Sequence, residues 1–393
     1  MTNKNKKRKI CFVITSLIHY SRNLLILDEL KRRDDVELYI AIGGTALLPK
    51  YASRHTNVKE MLISEGFDNI YEVYFNLEGD NNVVKSKTVG LGIIEFSLLF
   101  NNINPDLLLV RGDRFEVLAA ATAASFMNIP IAHIEGGDVS GTLDESIRHT
   151  VTKLSHIHFT TNEPAKKRVL RMGEKKEYVF NFGSPDIEVV HKIVNGGINI
   201  DLSKTGSGAD IDSGSDFLMI MHNPVTTELK KTSQNTKMLL EAIYELDIPT
   251  LWFWPNADSG AEDISRELRI FKDSVRDHKV RFMRYLPPKE FLSLLKNTKC
   301  LVGNSSAGIK ECSYLGVPVV NIGSRQSNRL HADNVMDTGN DKKEIKEIIM
   351  KQINIGRYPT SDLYKIDNTS KKIAEKLATI ELYIQKSFED LTD

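Results

Sequence analysis

The stretch HIEGGDVSGTLDESIRH, from His133 to His149, places four carboxylates (Glu135, Asp138, Asp144 and Glu145) among three glycines, directly after an apolar run. Carboxylates gathered where a strand ends can exchange protons with a ligand, hold a metal, or cap the next helix. Thr142 and Glu145 have the spacing of a capping box. Asp144 lies four residues before Arg148, the spacing of a helical ion pair. Neither local device accounts for Glu135, which closes the apolar run and precedes Gly136-Gly137, a backbone free enough for close ligand approach. Asp113 in VRGDRFE has the same character: the end of a run, a glycine, then a charge. On adjacent parallel strands these two ends would lie side by side. Repulsion among carboxylates would then raise at least one pKa, as suits general acid/base work. The rival is a metal site, but there is no helical His pair at ligand spacing and no cysteine nearby, so no metal is expected.

A second set of residues suits an anion. In LVGNSSAGIKE (301–311) a strand ends near Gly303, and Asn304, Ser305 and Ser306 open a helix. Free N–H groups and the positive helix end favour phosphate there. The Ser305 and Ser306 hydroxyls add donors, Gly308 permits close approach, and Glu311, about a turn on, suits the two hydroxyls of a ribose. Plain N-capping is the alternative. GSRQSNR (323–329) follows the next apolar run, and its Arg325 suits a pyrophosphate, with an ordinary surface arginine as the alternative.

The elements that must position these residues alternate. Short apolar runs at 9–15, 36–42, 106–112, 130–135, 156–161 and 178–183 are separated by helical patterns such as RNLLILDELKRR and FEVLAAATAASFMN. After NGGINIDLSKTGSGADIDSGSD (195–216), poor in large apolar residues, the alternation restarts at 217–222, 248–255, 280–286, 299–305 and 317–323. The pattern predicts two doubly wound α/β domains, Rossmann-like, at 1–195 and 217–393, joined by a linker at 196–216, with ligands in a cleft beyond the strands' carboxyl ends. The final helix is a candidate to pack back on the first domain. A length of 393 residues agrees with two domains. Lys and Arg total 52, as do Asp and Glu. That balance argues against a nucleic-acid or anionic-membrane role. Three cysteines, Cys11, Cys300 and Cys312, fit burial in a reducing compartment, and no run reaches transmembrane length, so a cytoplasmic setting is expected. Neither a Walker A sequence nor a G-x-G-x-x-G follows the first strand, which argues against a triphosphatase or a dinucleotide dehydrogenase.

GDRFE, HIEGGDVSGTLDESIRH, GSPD (183–186), NPVTTE (223–228), GNSSAGIKE and GSRQSNR occur together in one order. In this the chain resembles the hydrolysing branch of the UDP-N-acetylglucosamine 2-epimerase family, which begins sialic-acid and legionaminic-acid biosynthesis. The resemblance covers most of the chain. It implies a GT-B-like fold, a homo-oligomer (dimer or tetramer), and a UDP-sugar substrate with no cofactor. It implies loss of UDP and the C2 proton to give a 2-acetamidoglycal, then hydration with inversion at C2, yielding UDP and N-acetylmannosamine. Asp113, Glu135 and Asp144 would be the acid/base carboxylates. Ser305, Ser306, Gly308, Glu311 and Arg325 would bind UDP, with Ser21, Arg114, Arg148, His149, His222 and Asn256 as further substrate contacts.

Two loops depart from the family pattern. Where the family reads R-A-D-Y-S after the first strand, this chain has SLIHYS (16–21), keeping Tyr20 and Ser21 without the arginine and aspartate. Where the family has H-P-V-T-T, Asn223 stands in the histidine's place and His222 one residue earlier. His19 and His222 are candidates to compensate. The altered loops leave open a modified substrate such as UDP-diacetylbacillosamine, or a UDP-sugar-binding homologue with altered catalysis. A GT-B glycosyltransferase is the further alternative.

Overall fold

The computed structural model describes residues 6–48, 57–79, 81–193 and 200–390. The first sheet contains β1 (Arg8–Ile14), β2 (Val36–Ile42), β3 (Ile70–Glu72), β4 (Leu107–Arg111), β5 (Ile131–Ile134), β6 (Ile157–Thr160) and β7 (Val179–Asn181). Its spatial order is β3-β2-β1-β4-β5-β6-β7, with every pairing parallel. Helices α1 (Leu17–Lys31), α2 (Val58–Ser64), α3 (Asn82–Ile103), α4 (Phe115–Phe126), α5 (Leu143–Leu154), α6 (Glu163–Arg171) and α7 (Pro185–Ile193) accompany it. The strands read as unbroken apolar runs because both sheet faces are covered. Cys11, Val13, Leu108, Val110 and Ile131 join Phe96, Phe100 and the alanines of α4 in one core.

The second sheet contains β8 (Ser207–Gly208), β9 (Leu218–Met221), β10 (Thr250–Phe253), β11 (Val280–Met283), β12 (Cys300–Gly303), β13 (Val319–Ile322) and β14 (Val335–Thr338). Its order is β14-β13-β12-β9-β10-β11-β8, parallel except for β8 against β11. Helices α8 (Thr232–Leu246), α9 (Ala261–Ser274), α10 (Pro288–Asn297), α11 (Ser306–Ile309), α12 (Glu311–Leu315), α13 (Lys342–Ile355) and α14 (Thr369–Thr379) follow in the chain. Leaving β7 and β8 aside, both sheets have the same order. The first strand of each lies between its second and fourth, so each unit has a topological switch point, beside β1 and β4 in one and beside β9 and β12 in the other.

The chain divides into Met1–Asp138, Asp144–Val189 and Ile366–Asp393 as one unit, and Val139–Leu143 with Val190–Lys365 as the other. Against the expected boundaries at 1–195, 196–216 and 217–393, with the final helix a candidate to return to the first domain, three placements stand out. Residues from Ile366 onward belong to the first unit: α14 packs on α1, with Ile373, Ala374 and Leu377 buried, and Thr369 Oγ1 donates to the Phe182 carbonyl. The Gly- and Ser-rich segment expected to be a linker is built onto the second sheet from residue 200 onward. Arg281 donates to the carbonyls of Ser203, Thr205 and Ala209, and Ile200, Leu202 and Ile211 are buried. Backbone carbonyls answering one arginine give order that side-chain hydrophobicity does not reveal. Residues 196–199 of that expectation lie outside the described residues. Third, Val139–Leu143, inside the carboxylate-rich loop, belongs to the second unit, where the Gly141 N–H donates to the Arg325 carbonyl at 3.1 Å.

Candidate active site

In the first unit, β4 and β5 pair in register with Arg111 opposite Ile134, so Asp113 and Glu135 follow the ends of neighbouring strands. Glu135 is 8% exposed and has φ of 74°, a left-handed conformation for a residue with a side chain. Such a residue is strained by about 1 kcal/mol or more and persists only where its surroundings hold it. Its N–H donates to the Phe159 carbonyl at 2.9 Å, and its Oε2 accepts from Arg111 Nε at 3.1 Å. Arg111, fully buried, also donates to Asp186 Oδ1, Asn23 Oδ1 and the Arg22 carbonyl. Burial by itself would lower the arginine's pKa, but Asp186 and then Glu135 carry it above its ordinary value. Asp113 is ion-paired with Arg148 of α5, whose other guanidinium nitrogen donates to the Asp138 carbonyl at 2.8 Å. The mutual repulsion of carboxylates expected from sequence is thus answered by two buried arginines.

Histidines complete this end of the sheet. His19, in the first turn of α1 and held by Thr15 Oγ1 at Nδ1, turns Nε2 toward Gly112. A side chain at position 112 would meet both Glu135 Oε2 and His19 Nε2. Burial, with Arg114 and Arg111 adding to it, brings the His19 pKa down to about 3. His133 donates from Nε2 to the Gly112 carbonyl at 2.8 Å, which fixes its tautomer, and burial lowers its pKa to about 4. Asp138 is buried and accepts from Asn162 Nδ2 and Thr161 Oγ1.

Other expected residues are placed differently. Asp144 stands in the first turn of α5. The Thr142 hydroxyl makes no hydrogen bond, so the capping box is absent. Glu145 instead has His149 Nε2 3.7 Å from its Oε1. Arg114 forms a two-pronged pair with the buried Glu116 at 3.0 and 2.8 Å. Ser21 Oγ bonds within its own helix, to the Ile18 carbonyl, and Tyr20 reaches Glu65. The Gly136-Gly137 pair serves packing. A Cβ at Gly136 would sit 2.9 Å from Thr152 Oγ1, and one at Gly137 only 2.3 Å from the Ala165 carbonyl oxygen.

In the second unit the strand ends are tied by amides. Asn304, after β12, accepts at Oδ1 from the Asn223 N–H and donates from Nδ2 to the Asn223 carbonyl, both at 2.8 Å. Asn223, after β9, accepts at its own Oδ1 from the Asn256 N–H at 2.9 Å. The Asn304 carbonyl accepts from Arg325 Nη1 and Gln326 Nε2, each at 3.1 Å. Asn223 therefore bridges the ends of β9, β10 and β12 through its backbone and its Oδ1, while the Asn304 side chain both donates and accepts. His222 is buried, its Nδ1 has no hydrogen-bond partner, and burial followed by the Arg325 charge lowers its pKa to about 4. Glu228 of NPVTTE accepts from Ser324 Oγ at 2.6 Å, joining two motifs far apart in sequence.

Ser305 is the N-cap of α11, its Oγ accepting from the Ala307 N–H, and Ser306 is the first helical residue. At Gly308 a Cβ would lie 2.9 Å from Val319 Cγ1, so the glycine lets the short helix seat closely on the sheet. Glu311 is buried at the start of α12, and Arg325 is 3.7 Å from Asp258. Arg111, Asn23 and Asp186 were missed by sequence reasoning. The arginine closing an otherwise apolar run, LLLVR, was the available signal for the first, and GSPD held the last. Among the described residues, no group of three or more His, Cys, Asp or Glu is arranged to hold a metal ion, and no helix is long and apolar enough to cross a membrane.

Two Rossmann-like units of one strand order, each carrying polar groups at its switch point, define the GT-B-like class. The chain belongs to the UDP-N-acetylglucosamine 2-epimerase family, whose family model matches residues 28–378. It is 30% identical over 378 residues to the UDP-N,N'-diacetylbacillosamine 2-epimerase (hydrolyzing) of Legionella pneumophila, covering 96% of this chain and 97% of the relative. It is 30% identical over 393 residues to the UDP-N-acetylglucosamine 2-epimerase of Neisseria meningitidis, covering 98% and 99%. Its fold matches that of the Methanocaldococcus jannaschii UDP-GlcNAc 2-epimerase, solved with UDP-GlcNAc and UDP, with a TM-score of 0.78 at 17% identity over 94% of this chain and 99% of that one.

Proposed function

We propose that this protein is a hydrolysing UDP-sugar 2-epimerase whose acid/base groups are the carboxylates after β4 and β5 and whose nucleotide-binding groups follow β12 and β13. The observation that carries the reading is Glu135: a carboxylate in strained backbone, matched to a buried arginine, beside Asp113 at a switch point. A sugar C2–H is not acidic in water, so C1–O cleavage leads, its electron pair leaving with UDP. As C1 becomes cationic, the C2 proton acidifies and a carboxylate suffices to take it. Water then adds its oxygen to C1 of the glycal while a proton returns to the opposite face of C2. The net reaction is UDP-sugar plus water to UDP and the free 2-epimer. Asp113, Glu135 and Asp144 share the proton transfers. Arg325, the amide-tied turn at Asn304 and the start of α11 stabilise the leaving diphosphate. The unsatisfied Nδ1 of His222 and Oγ1 of Thr226, both buried, support a polar ligand at the second switch point.

The substrate is UDP-N-acetylglucosamine, giving N-acetylmannosamine for a sialic-acid-type sugar. UDP-N,N'-diacetylbacillosamine, acted on by the Legionella relative and leading toward legionaminic acid, is the second candidate. The reading carries a cytoplasmic setting, in keeping with three buried free thiols. It also carries a homo-oligomer, in keeping with exposed Leu91, Ile94 and Leu98 at helical spacing on α3. Incubation with each UDP-sugar and no acceptor is the test. UDP together with a free manno-configured sugar is expected. UDP appearing only when an acceptor is supplied would indicate a glycosyltransferase, and binding without product a non-catalytic homologue.

A further inference from the structure

We propose that Arg111 is a positioning residue that aims the Glu135 carboxylate, with Asp186 as the arginine's second counter-ion. The inference rests on Glu135 being an acid/base group of the proposed reaction. Arg111 closes a strand whose other four residues are Leu and Val, so its charge is carried into the sheet's core and has to be answered there. Four guanidinium contacts answer it: Glu135 Oε2 at 3.1 Å, Asn23 Oδ1 at 3.0 Å, the Arg22 carbonyl at 3.1 Å and Asp186 Oδ1 at 2.5 Å. Arg22 Nε lies 3.6 Å from the same Asp186 oxygen, so two positive and two negative groups balance. The two carboxylates differ. The Asp186 side chain is sealed, whereas that of Glu135 keeps 11% of its surface exposed, which leaves the end of the network open at the member with strained backbone.

The charges near Glu135 come from every neighbouring element: His19 and Arg22 from α1, Arg111 and Asp113 from the end of β4, Arg148 from α5, Asp186 from α7, and His133 on its own strand. Arg111 makes both an ion pair and a directed hydrogen bond to Glu135. A planar guanidinium fixes the orientation of a carboxylate in a way an ammonium does not.

The experiment uses two variants of the full chain. Arg111→Lys keeps the charge and loses the fork. Arg111→Met with Asp186→Leu removes both partners of the sealed pair together, a replacement that buried ion pairs commonly tolerate. Steady-state kinetics across pH are read alongside a 13C NMR titration of side-chain-labelled glutamate, with the Glu135 resonance assigned by its loss in Glu135→Gln. A positive neighbour lowers a carboxylate's pKa, so its removal moves the Glu135 titration, and with it the acid limb of kcat, to higher pH. The expected result is that shift together with kcat lower by about 100-fold and KM within about threefold, the lysine variant standing between parent and double variant. Folded variants with the parental Glu135 titration and pH profile would overturn the assignment, as would lost stability with no change in titration. If the parent turns over no UDP-sugar and the Glu135 titration still moves, the proposed function fails while the Arg111 assignment stands.

Discussion

In the first unit, the groups after β4, at the switch point, and after the adjoining β5 are charged and paired: Arg111 with Glu135 and Asp186, Arg148 with Asp113. In the second unit, after β9, β10 and β12, the turns are tied by uncharged groups: the side chains of Asn223 and Asn304 and the backbone N–H of Asn256, with the Gln326 side chain alongside. The topology is shared and the materials are opposite. A buried charge network is costly to assemble, and its reward is a fixed protonation state and a fixed direction for each carboxylate. An amide lattice adds no net charge: the Asn304 side chain both donates and accepts, and the Asn223 side chain accepts from the Asn256 N–H. It fixes backbone turns and leaves the local field to Arg325 and a helix start. The first arrangement suits proton transfer; the second suits holding an anion that must later depart.

The largest effect that would sharpen this division is expected from Glu135→Gln: turnover lower by about 1,000-fold, with UDP affinity by calorimetry within about threefold of the parent. An equal loss of UDP affinity would break the division. Asn304→Ala should do the reverse, weakening UDP binding by about 10-fold while kcat changes less. It leaves the Asn223 N–H without its acceptor, so chemical denaturation should report a loss of about 1–3 kcal/mol. Gln326→Ala, which removes one neutral donor to the Asn304 carbonyl, should cost about 1 kcal/mol or less by the same measurement.

A pH series compares the two units directly. Buried neutral His133 and His222 have pKa values near 4, and His19 near 3, against about 6.5 in an unfolded chain. Below pH 6.5 the unfolded state binds protons that the native state refuses, so stability is complete above that pH and falls as pH drops toward 4. Each of His133 and His222 should account for roughly 3 kcal/mol of this loss. Unfolding at pH 7 and pH 5 should show a smaller difference for His222→Phe than for the parent. An unchanged difference would remove His222 from this role.

The strands at 9–15, 36–42 and 106–112 were legible because central parallel strands are unbroken apolar runs; their spatial order, and with it the switch points, came from the structure. The edge strands Ile70–Glu72 and Val335–Thr338 were not: they are three and four residues long and partly polar, and neighbouring strands define them. Asp113 and Glu135 stood out because charge at the end of an apolar run has no bland local explanation. Arg111 was hidden by being the last residue of such a run, where its partners come from residues 22, 23, 135 and 186 and no short window contains them. Gly308 shows the complementary limit. Glycine spacing cannot tell a side chain that needs room, here Val319, from a phosphate that does.

The claim at the centre of this account is that the protein removes and returns a proton at C2 of a UDP-sugar. Proton NMR of the reaction in deuterated water tests it most directly. The account predicts free UDP and a manno-configured sugar carrying deuterium at C2. A released sugar that keeps its C2 proton, or intact UDP-N-acetylglucosamine and UDP-N,N'-diacetylbacillosamine after prolonged incubation with folded protein, would contradict it.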